Sequence, residues 1–421
     1  MFRKESLAKN IGVLISGTVL AQVIPIALQP ILKRMYTAEE FGVLDIYLKT
    51  LGILFVIYAL KYDMGIVLPK NKVKAMVLLA ISFLSALFFT LVSFVLIFIF
   101  QDRLLGLLQI DKIYTFILYI LPLNTLFFSL YNTFNYLLIR NKKFAASSMN
   151  RVVRRGVEGG VQVGMGLNSG LKLTGLYIGD LLGNFVFFIA AFYQSLKGIK
   201  LDMRIFRPRL LWSVAKEYSD LPKYNIIPEM MNGFFGASIT FIALSKFGML
   251  EVGLLEPTQR ILAIPAAFVS VSVGQVLLQR ISESIAHKRK ILKDIKGITL
   301  ALFAMAVPFA AVIFLFGPEL FGWYFGDAWK ISGIYASYIV IYYSISFVTS
   351  PLGQVLIALK EFKVNAAWQV AKFILIYLLV FINYDSIYSF LFSYNLVGSF
   401  VYILYGFIIF YYAIKYDRKI K

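Results

Sequence analysis

Apolar stretches of about 20 residues recur along this 421-residue chain, broken only by short charged connections, and that is the length a helix needs to cross a bilayer core. The pattern leaves no room for a sizeable soluble domain. Composition agrees: 60% of the residues are hydrophobic, 15% are charged, and mean hydropathy is +0.77, so the solvent is lipid. Twelve spans are predicted. Six lie in the first half: Ile11 to Leu32, Phe41 to Leu60, Ala75 to Phe100, Ile113 to Ile139, Phe144 to Leu167 and Leu171 to Leu196. Six lie in the second: Ile226 to Leu244, Val252 to Leu278, Ile298 to Phe316, Ile331 to Leu359, Val364 to Ile382 and Ile387 to Ile414. The first run is longer than a secretory signal core and lacks a small-residue cleavage site, so it is read as a span. The fold class is therefore all-α integral membrane, with about 12 transmembrane helices in two six-helix bundles at residues 1–196 and 226–421.

The net charge of +20 does not point to nucleic acid, because the bases sit in the breaks between spans, beside lipid headgroups. Most of the 42 Lys and Arg residues fall in the N-terminus, the even-numbered connections and the C-terminus, which places both termini in the cytoplasm. Between the bundles, residues 197–225 form the longest connection. Here Ile205, Phe206, Leu210, Leu211, Trp212 and Val214 interleave with Arg204, Arg207, Arg209 and Lys216, the pattern of a basic helix lying on the membrane surface. There is no cysteine and one histidine, His287, inside the basic run His287-Lys288-Arg289-Lys290. Thiol chemistry, disulfides and cysteine metal sites are excluded, and histidine catalysis has little to work with. No catalytic residue and no metal site is predicted.

An internal repeat picks out the candidate site. At an offset of 211, Glu40-Phe41-Gly42-Val43-Leu44-Asp45 stands beside Glu251-Val252-Gly253-Leu254-Leu255-Glu256, and Lys49 beside Arg260. At an offset of 218, Ile139-Arg140-Asn141-Lys142-Lys143-Phe144 stands beside Ile357-Ala358-Leu359-Lys360-Glu361-Phe362, and Arg154 beside Lys372. Repeated halves are a common way of building a transporter. From the helical rise, Lys49, Arg260 and Lys372 lie roughly 12 Å into their spans and Arg154 roughly 15 Å, near the middle of the bilayer. A base at that depth needs protein, water or an acid beside it.

Two readings exist for each charge. Asp45 with Lys49, and Glu256 with Arg260, are acid–base pairs at i,i+4 that neutralise each other for insertion, or the bases bind an anionic substrate. Arg151, Arg154 and Arg155 cluster with Glu158 one turn on, with Arg154 the best placed and Arg151 able to snorkel to the surface. Asp180 lies nine residues into the sixth span without an obvious local partner, either a proton or sodium carrier or a structural hydrogen-bonding group. Glu229 follows Pro228 near the start of the seventh span, where solvated surface competes with ion coupling. Pro25, Pro30, Pro228 and Pro265 are candidate bending points.

The segment Lys33-Arg34-Met35-Tyr36-Thr37-Ala38-Glu39-Glu40-Phe41-Gly42, followed by a helix and Lys61-Tyr62-Asp63-Met64-Gly65-Ile66-Val67-Leu68-Pro69, resembles the N-terminal pattern of bacterial polysaccharide exporters. These are the O-antigen and capsule repeat-unit flippases of the multidrug/oligosaccharidyl-lipid/polysaccharide superfamily. The second half is similar too, at Leu221-Pro222, Pro228, and Gly248 through Gly253 into Glu256-Pro257-Thr258-Gln259-Arg260-Ile261-Leu262. One departure is clear: an Asp-Arg pair frequent in the seventh helix of relatives is absent, where Gly236 to Thr240 stand.

The resemblance implies two six-helix bundles forming a V-shaped cleft in the bacterial cytoplasmic (inner) membrane. It also implies a substrate of undecaprenyl diphosphate carrying an oligosaccharide, and other polysaccharide-assembly membrane proteins as partners. Lys49 and Arg260 would approach the diphosphate, which needs charge neutralisation in a low-dielectric site. Competing readings are a cation-coupled multidrug exporter and a peptidoglycan lipid-precursor flippase of the same superfamily. From another class, a membrane glycosyltransferase or polysaccharide polymerase would need a sizeable outward loop with catalytic groups, whereas these outward connections are short. The only cofactor expected is a coupling proton or sodium ion.

Overall fold

The computed structural model describes residues 4–198 and 203–420, and side chains from residue 20 onward apart from 199–204, 267, 268 and 271. Every regular element in it is helical. In chain order these are α1 (Lys4–Met35), α2 (Ala38–Tyr58), α3 (Tyr62–Gly65), α4 (Lys72–Leu107), α5 (Thr115–Arg140), α6 (Phe144–Gly166), α7 (Lys172–Leu196) and α8 (Pro208–Glu217). They continue with α9 (Asp220–Phe247), α10 (Met249–Pro265), α11 (Val271–Ala286), α12 (Leu292–Phe325), α13 (Lys330–Thr349), α14 (Gln354–Ala358), α15 (Phe362–Tyr377) and α16 (Ile387–Asp417). Each of the twelve predicted spans has a helical counterpart. Among the described residues nine helical segments are long and apolar enough to cross a membrane, and the chain is a multi-pass membrane protein.

Local chemistry sets the ends. Thr37 and Glu40 form a reciprocal capping box at the start of α2, Asn71 accepts from Val73 N–H to start α4, and Ser386 caps α16. Several spans are not continuous α-helices; the tenth, for instance, passes through a 3-10 turn at Pro351–Gly353 between α13 and α14. The 36-residue α4 is kinked at Phe100, where the predicted third span stops. Beyond Pro265 the eighth span passes through a π-helical turn, Ala266–Ser270, before α11 resumes, because proline cannot supply its backbone donor to the ladder.

The chain divides into two compact units, Met1–Ala237 and Ser238–Lys421, the division falling inside α9. Within the first unit, α8 is the predicted surface helix. Ile205 and Val214 are buried with Leu210 and Leu211 against α4 residues, while Trp212 is exposed. Tyr62 Oη donates to Ala215 O at 3.1 Å and Lys74 Nζ to the Glu217 carboxylate at 2.7 Å, tying α8 to this unit.

Taken separately, the two units use the same plan. In the first, α5 packs on α2, α4 and α7, and α6 packs on α7. In the second, α13 packs on α10, α12 and α16, and α15 packs on α16. The peripheral helices correspond as well: only 17% of the most apolar stretch of α4, and of α12, is buried, and Phe98 and Leu300 stand fully outward as lipid-facing side chains do. The repeat holds at the level of dihedral angles. At the end of α5, Lys142 takes φ +59° and Lys143 takes φ −84°, ψ 55°; at the end of α14, Lys360 takes φ +61° and Glu361 takes φ −85°, ψ 52°. Equivalent backbone bonds, Lys143 N to Leu138 O and Glu361 N to Leu356 O, close the two turns at 2.9 and 2.8 Å.

Candidate functional site

In the first unit the charges of α6 and α7 meet because glycines let these helices approach. Gly175, Gly179 and Gly183 recur every four residues on α7, and a Cβ on Gly179 or Gly183 would stand 2.9 Å from Glu158 O or 3.2 Å from Arg154 O. Asp180, between them in sequence, is thereby held against α6. It is buried, its Oδ1 lies 3.3 Å from Arg154 Nη2, and its Oδ2 accepts from Asn124 Nδ2 of α5 at 2.6 Å. Asn184, one turn on, donates to Asn124 Oδ1 at 2.8 Å and to Asp180 Oδ1 at 3.4 Å. Asn124 also donates to Tyr47 Oη of α2.

Asp180, which lacks an obvious partner from sequence, thus sits in a buried network drawn from α2, α5, α6 and α7. Asn124, Asn184 and Tyr47 escape a reading of the sequence because neutral side chains barely alter an apolar run. The signal that was available is Asn184 at i,i+4 from Asp180.

Arg154 lies with its guanidinium over two rings, 5.2 Å from the Phe128 centroid and 5.5 Å from Phe187. Its Nε and the Oδ1 of Asn184 are buried without hydrogen-bond partners among the described residues. Arg155 spends its charge locally on Glu158, at 2.8 and 3.0 Å. Arg151 is half-buried on the same helix.

Lys49 and Asp45 lie one turn apart on α2. Asp45 is buried and Lys49 half-buried, with Nζ donating to Gly236 O of α9 at 3.3 Å. Glu229, on the same helix as Gly236, forms an ion pair with Lys61, whose side chain is buried just after α2. Asp63 of α3 is buried in the same neighbourhood, with Oδ1 lacking a hydrogen-bond partner. Burial pushes the Asp63 carboxyl up to about 6 against the pull of Lys61, and Glu229 adds to the rise. Glu229 is thus partly exposed while its carboxylate meets the buried Lys61.

In the second unit the equivalents are spread more widely. Glu256 is buried on α10 and accepts from Arg260 Nε at 2.6 Å, the predicted i,i+4 pair. Lys372 is buried on α15, 4.7 Å from the Trp368 centroid and 5.8 Å from Tyr402. Tyr402 stands 215 residues after Phe187, so each unit sets a base against a ring of the helix that follows it, α6 against α7 and α15 against α16. At the same offset Asp180 becomes Asn395, whose Oδ1 accepts from Tyr342 N at 2.9 Å. Tyr342 in turn stands 218 residues after Asn124, so the position keeps its neighbour but loses its acid.

No metal-binding cluster of His, Asp or Glu occurs among the described residues. What the two units share is bases set beside aromatic rings, Arg154 by Phe128 and Phe187 and Lys372 by Trp368 and Tyr402, a chemistry suited to anions. The first unit adds a buried carboxylate able to exchange a proton or hold a small cation.

Comparison with known proteins bears on the family and the fold. The polysaccharide biosynthesis protein family matches residues 31–334. No curated protein matches the sequence. Among solved structures, a multidrug resistance MATE family transporter of the MOP superfamily, in an inward-facing conformation, is similar with TM-score 0.76 and 11% identity, covering 94% of this chain and 96% of that one. The lipid II flippase MurJ, in an inward closed conformation, is similar with TM-score 0.75 and 15% identity, covering 97% and 90%. A MOP superfamily transporter from Pyrococcus furiosus follows with TM-score 0.58 and 11% identity, covering 97% and 95%. At these identities the likeness is one of fold.

Proposed function

This chain belongs to the polysaccharide biosynthesis protein family, and we propose that it is a flippase for undecaprenyl-diphosphate-linked oligosaccharide repeat units in the bacterial cytoplasmic membrane. It carries them from the cytoplasmic to the outer leaflet by exposing its binding groups to each side in turn, driven by an ion gradient. The observation that supports this reading is the placement of bases at repeat-related depths: Lys49 with Arg260, and Arg154 with Lys372. Four cations near mid-membrane suit a diphosphate and repel a cationic drug. Arg provides forked donors for phosphate oxygens, Lys a movable point charge.

Asp180 has the features of a coupling group. It is a buried carboxylate for which a proton or sodium ion competes with Arg154, and the unsatisfied Asn184 Oδ1 beside it is a further oxygen ligand. The equivalent place in the second unit holds the neutral Asn395, so the coupling group proposed here has no acidic counterpart there.

Reconstitution into vesicles tests the substrate. The protein should translocate a lipid-linked oligosaccharide with a diphosphate and fail to extrude cationic dyes. Lys49→Ala combined with Arg260→Ala should reduce translocation about tenfold or more, since each lost charge-assisted contact is worth roughly 1.5–3 kcal/mol. Undiminished translocation by the folded double variant would remove these residues from the site, and dye efflux would overturn the substrate.

A further inference from the structure

A cavity of about 950 Å³ opens in the first unit away from the site above, where the connections α3–α4 and α5–α6 and the end of α7 come together. Six bases line it: Lys70, Lys72, Arg140, Lys142, Lys143 and Lys197. Among the described residues no acidic side chain lines it. Two of the cations are fixed in position by backbone carbonyls, Arg140 Nη1 on Ile66 O at 3.0 Å and Lys143 Nζ on Gln194 O at 2.7 Å. Neither contact neutralises charge. By contrast Lys74, two residues into the same helix from Lys72, points elsewhere and pairs with Glu217 at 2.7 Å.

The ordinary explanation for bases in such connections is that they orient the chain in the membrane. The internal repeat supplies a control. The turn between α14 and α15 has the same backbone as that between α5 and α6, yet it carries Ala358 where the first unit has Arg140 and Glu361 where it has Lys143. Neither the turn nor membrane insertion therefore demands these bases. Like charges gathered round one concavity repel, and a bound anion would relieve that repulsion. Most of the remaining wall is apolar, lined by Val67, Ala75, Met76, Leu137, Ile139 and Phe144 beside the polar Asn141 and Ser195. An anion with an apolar stem suits that lining better than a hydrated free ion.

We propose that this cavity is a binding site for the phosphate headgroup of an anionic phospholipid, held as a resident lipid at the edge of the first unit. Basic pockets among helix ends at the membrane surface recognise such headgroups through their phosphate charge. The proposal does not depend on the transport reading, because neither the gathered charge nor the cavity requires substrate to move.

The test uses the full-length protein in detergent, titrated with short-chain phosphatidylglycerol, with phosphatidylcholine of the same chain length, and with inorganic phosphate. Phosphatidylglycerol should raise the melting temperature and stay bound in native mass spectrometry, while phosphatidylcholine and phosphate do neither. The triple change Lys70→Gln, Lys72→Gln, Lys142→Gln should weaken phosphatidylglycerol retention at least about tenfold, since each base near a lipid surface contributes a measurable share. Changing Lys288, Arg289 and Lys290 to Gln removes equal charge elsewhere and should leave retention unaltered. Should the first triple not fold, Lys143→Glu borrows the residue that the same backbone carries at Glu361, and it should show the same loss. Equal responses to both lipids, equal losses in the two triples, or a full shift with inorganic phosphate alone would each overturn the proposal.

Discussion

Asp180 concentrates the chemistry of the first unit in one carboxylate. A buried ion pair gains little net stability, but removing one partner strands the other, at a cost of about 3–5 kcal/mol. Asp180→Asn should therefore fold less stably than the parent while keeping its hydrogen bond with Asn124, as the equivalent Asn395 bonds to Tyr342 N. Adding Arg154→Gln should recover most of that stability by removing the stranded cation. If Asp180 carries the coupling ion, both variants should lose the dependence of transport on an imposed pH or sodium gradient, the second despite its restored melting temperature. Retained gradient dependence in a folded double variant would reject the role and leave Asp180 as a structural tie. The charged members of this network stand out in sequence because each interrupts an apolar run. Their pairing does not, since Arg154 and Asp180 are 26 residues apart and meet only through the glycine face of α7.

At the scale of elements, legibility follows from which forces are local. The spans are visible because lipid imposes a length and a polarity on each, and the offset of 218 is repaid in matching dihedral angles at Lys142 and Lys360. The kink at Phe100 and the π-helical turn after Pro265 carry weak signals, a proline in one case and none in the other, because backbone bending depends on neighbours. The short α3 was missed altogether. It holds Asp63 outside the spans, and its carboxyl, raised from 3.8 to about 6, binds a proton more tightly in the folded protein than in the unfolded chain. Ionising it thus works against folding: the cost is absent below about pH 4, grows between about 4 and 6, and levels off above, at roughly 3 kcal/mol. Asp63→Asn should accordingly melt higher than the parent at pH 8, with the difference closing as the pH falls towards 4. A constant difference across that range would show that the proton on Asp63 is not what sets it. Lys61, Glu229 and Tyr136 surround the group and are unchanged in the comparison.

For the whole molecule, the number of crossings decides the orientation of every site. Hydropathy and length alone admit nine crossing segments among the described residues. The other three predicted spans differ in kind. α1 has its leading side chains outside the described residues, α6 carries Arg151, Arg154, Arg155 and Glu158, and the α10–α11 segment is broken by its π-helical turn and carries Glu256 and Arg260. Nine crossings would put the two termini on opposite faces; twelve put them on the same face. Two of these three carry part of the candidate site, Arg154 on α6 and Arg260 on α10, so there the charges that lower the hydropathy are ones the proposed function uses, and a charged helix is tolerated in a bundle when its polar face is turned to protein. Twelve crossings with cytoplasmic termini also place the crowded basic connections inside, as membrane insertion favours. Reporter fusions should then find Lys246 outside, and Lys288 and the C-terminus inside. The pair of Lys246 and Lys288 isolates the α10–α11 segment, because a non-crossing segment would leave both reporters on one side. That result would also remove Arg260 from mid-membrane and with it half of the principal cation pair on which diphosphate recognition is argued.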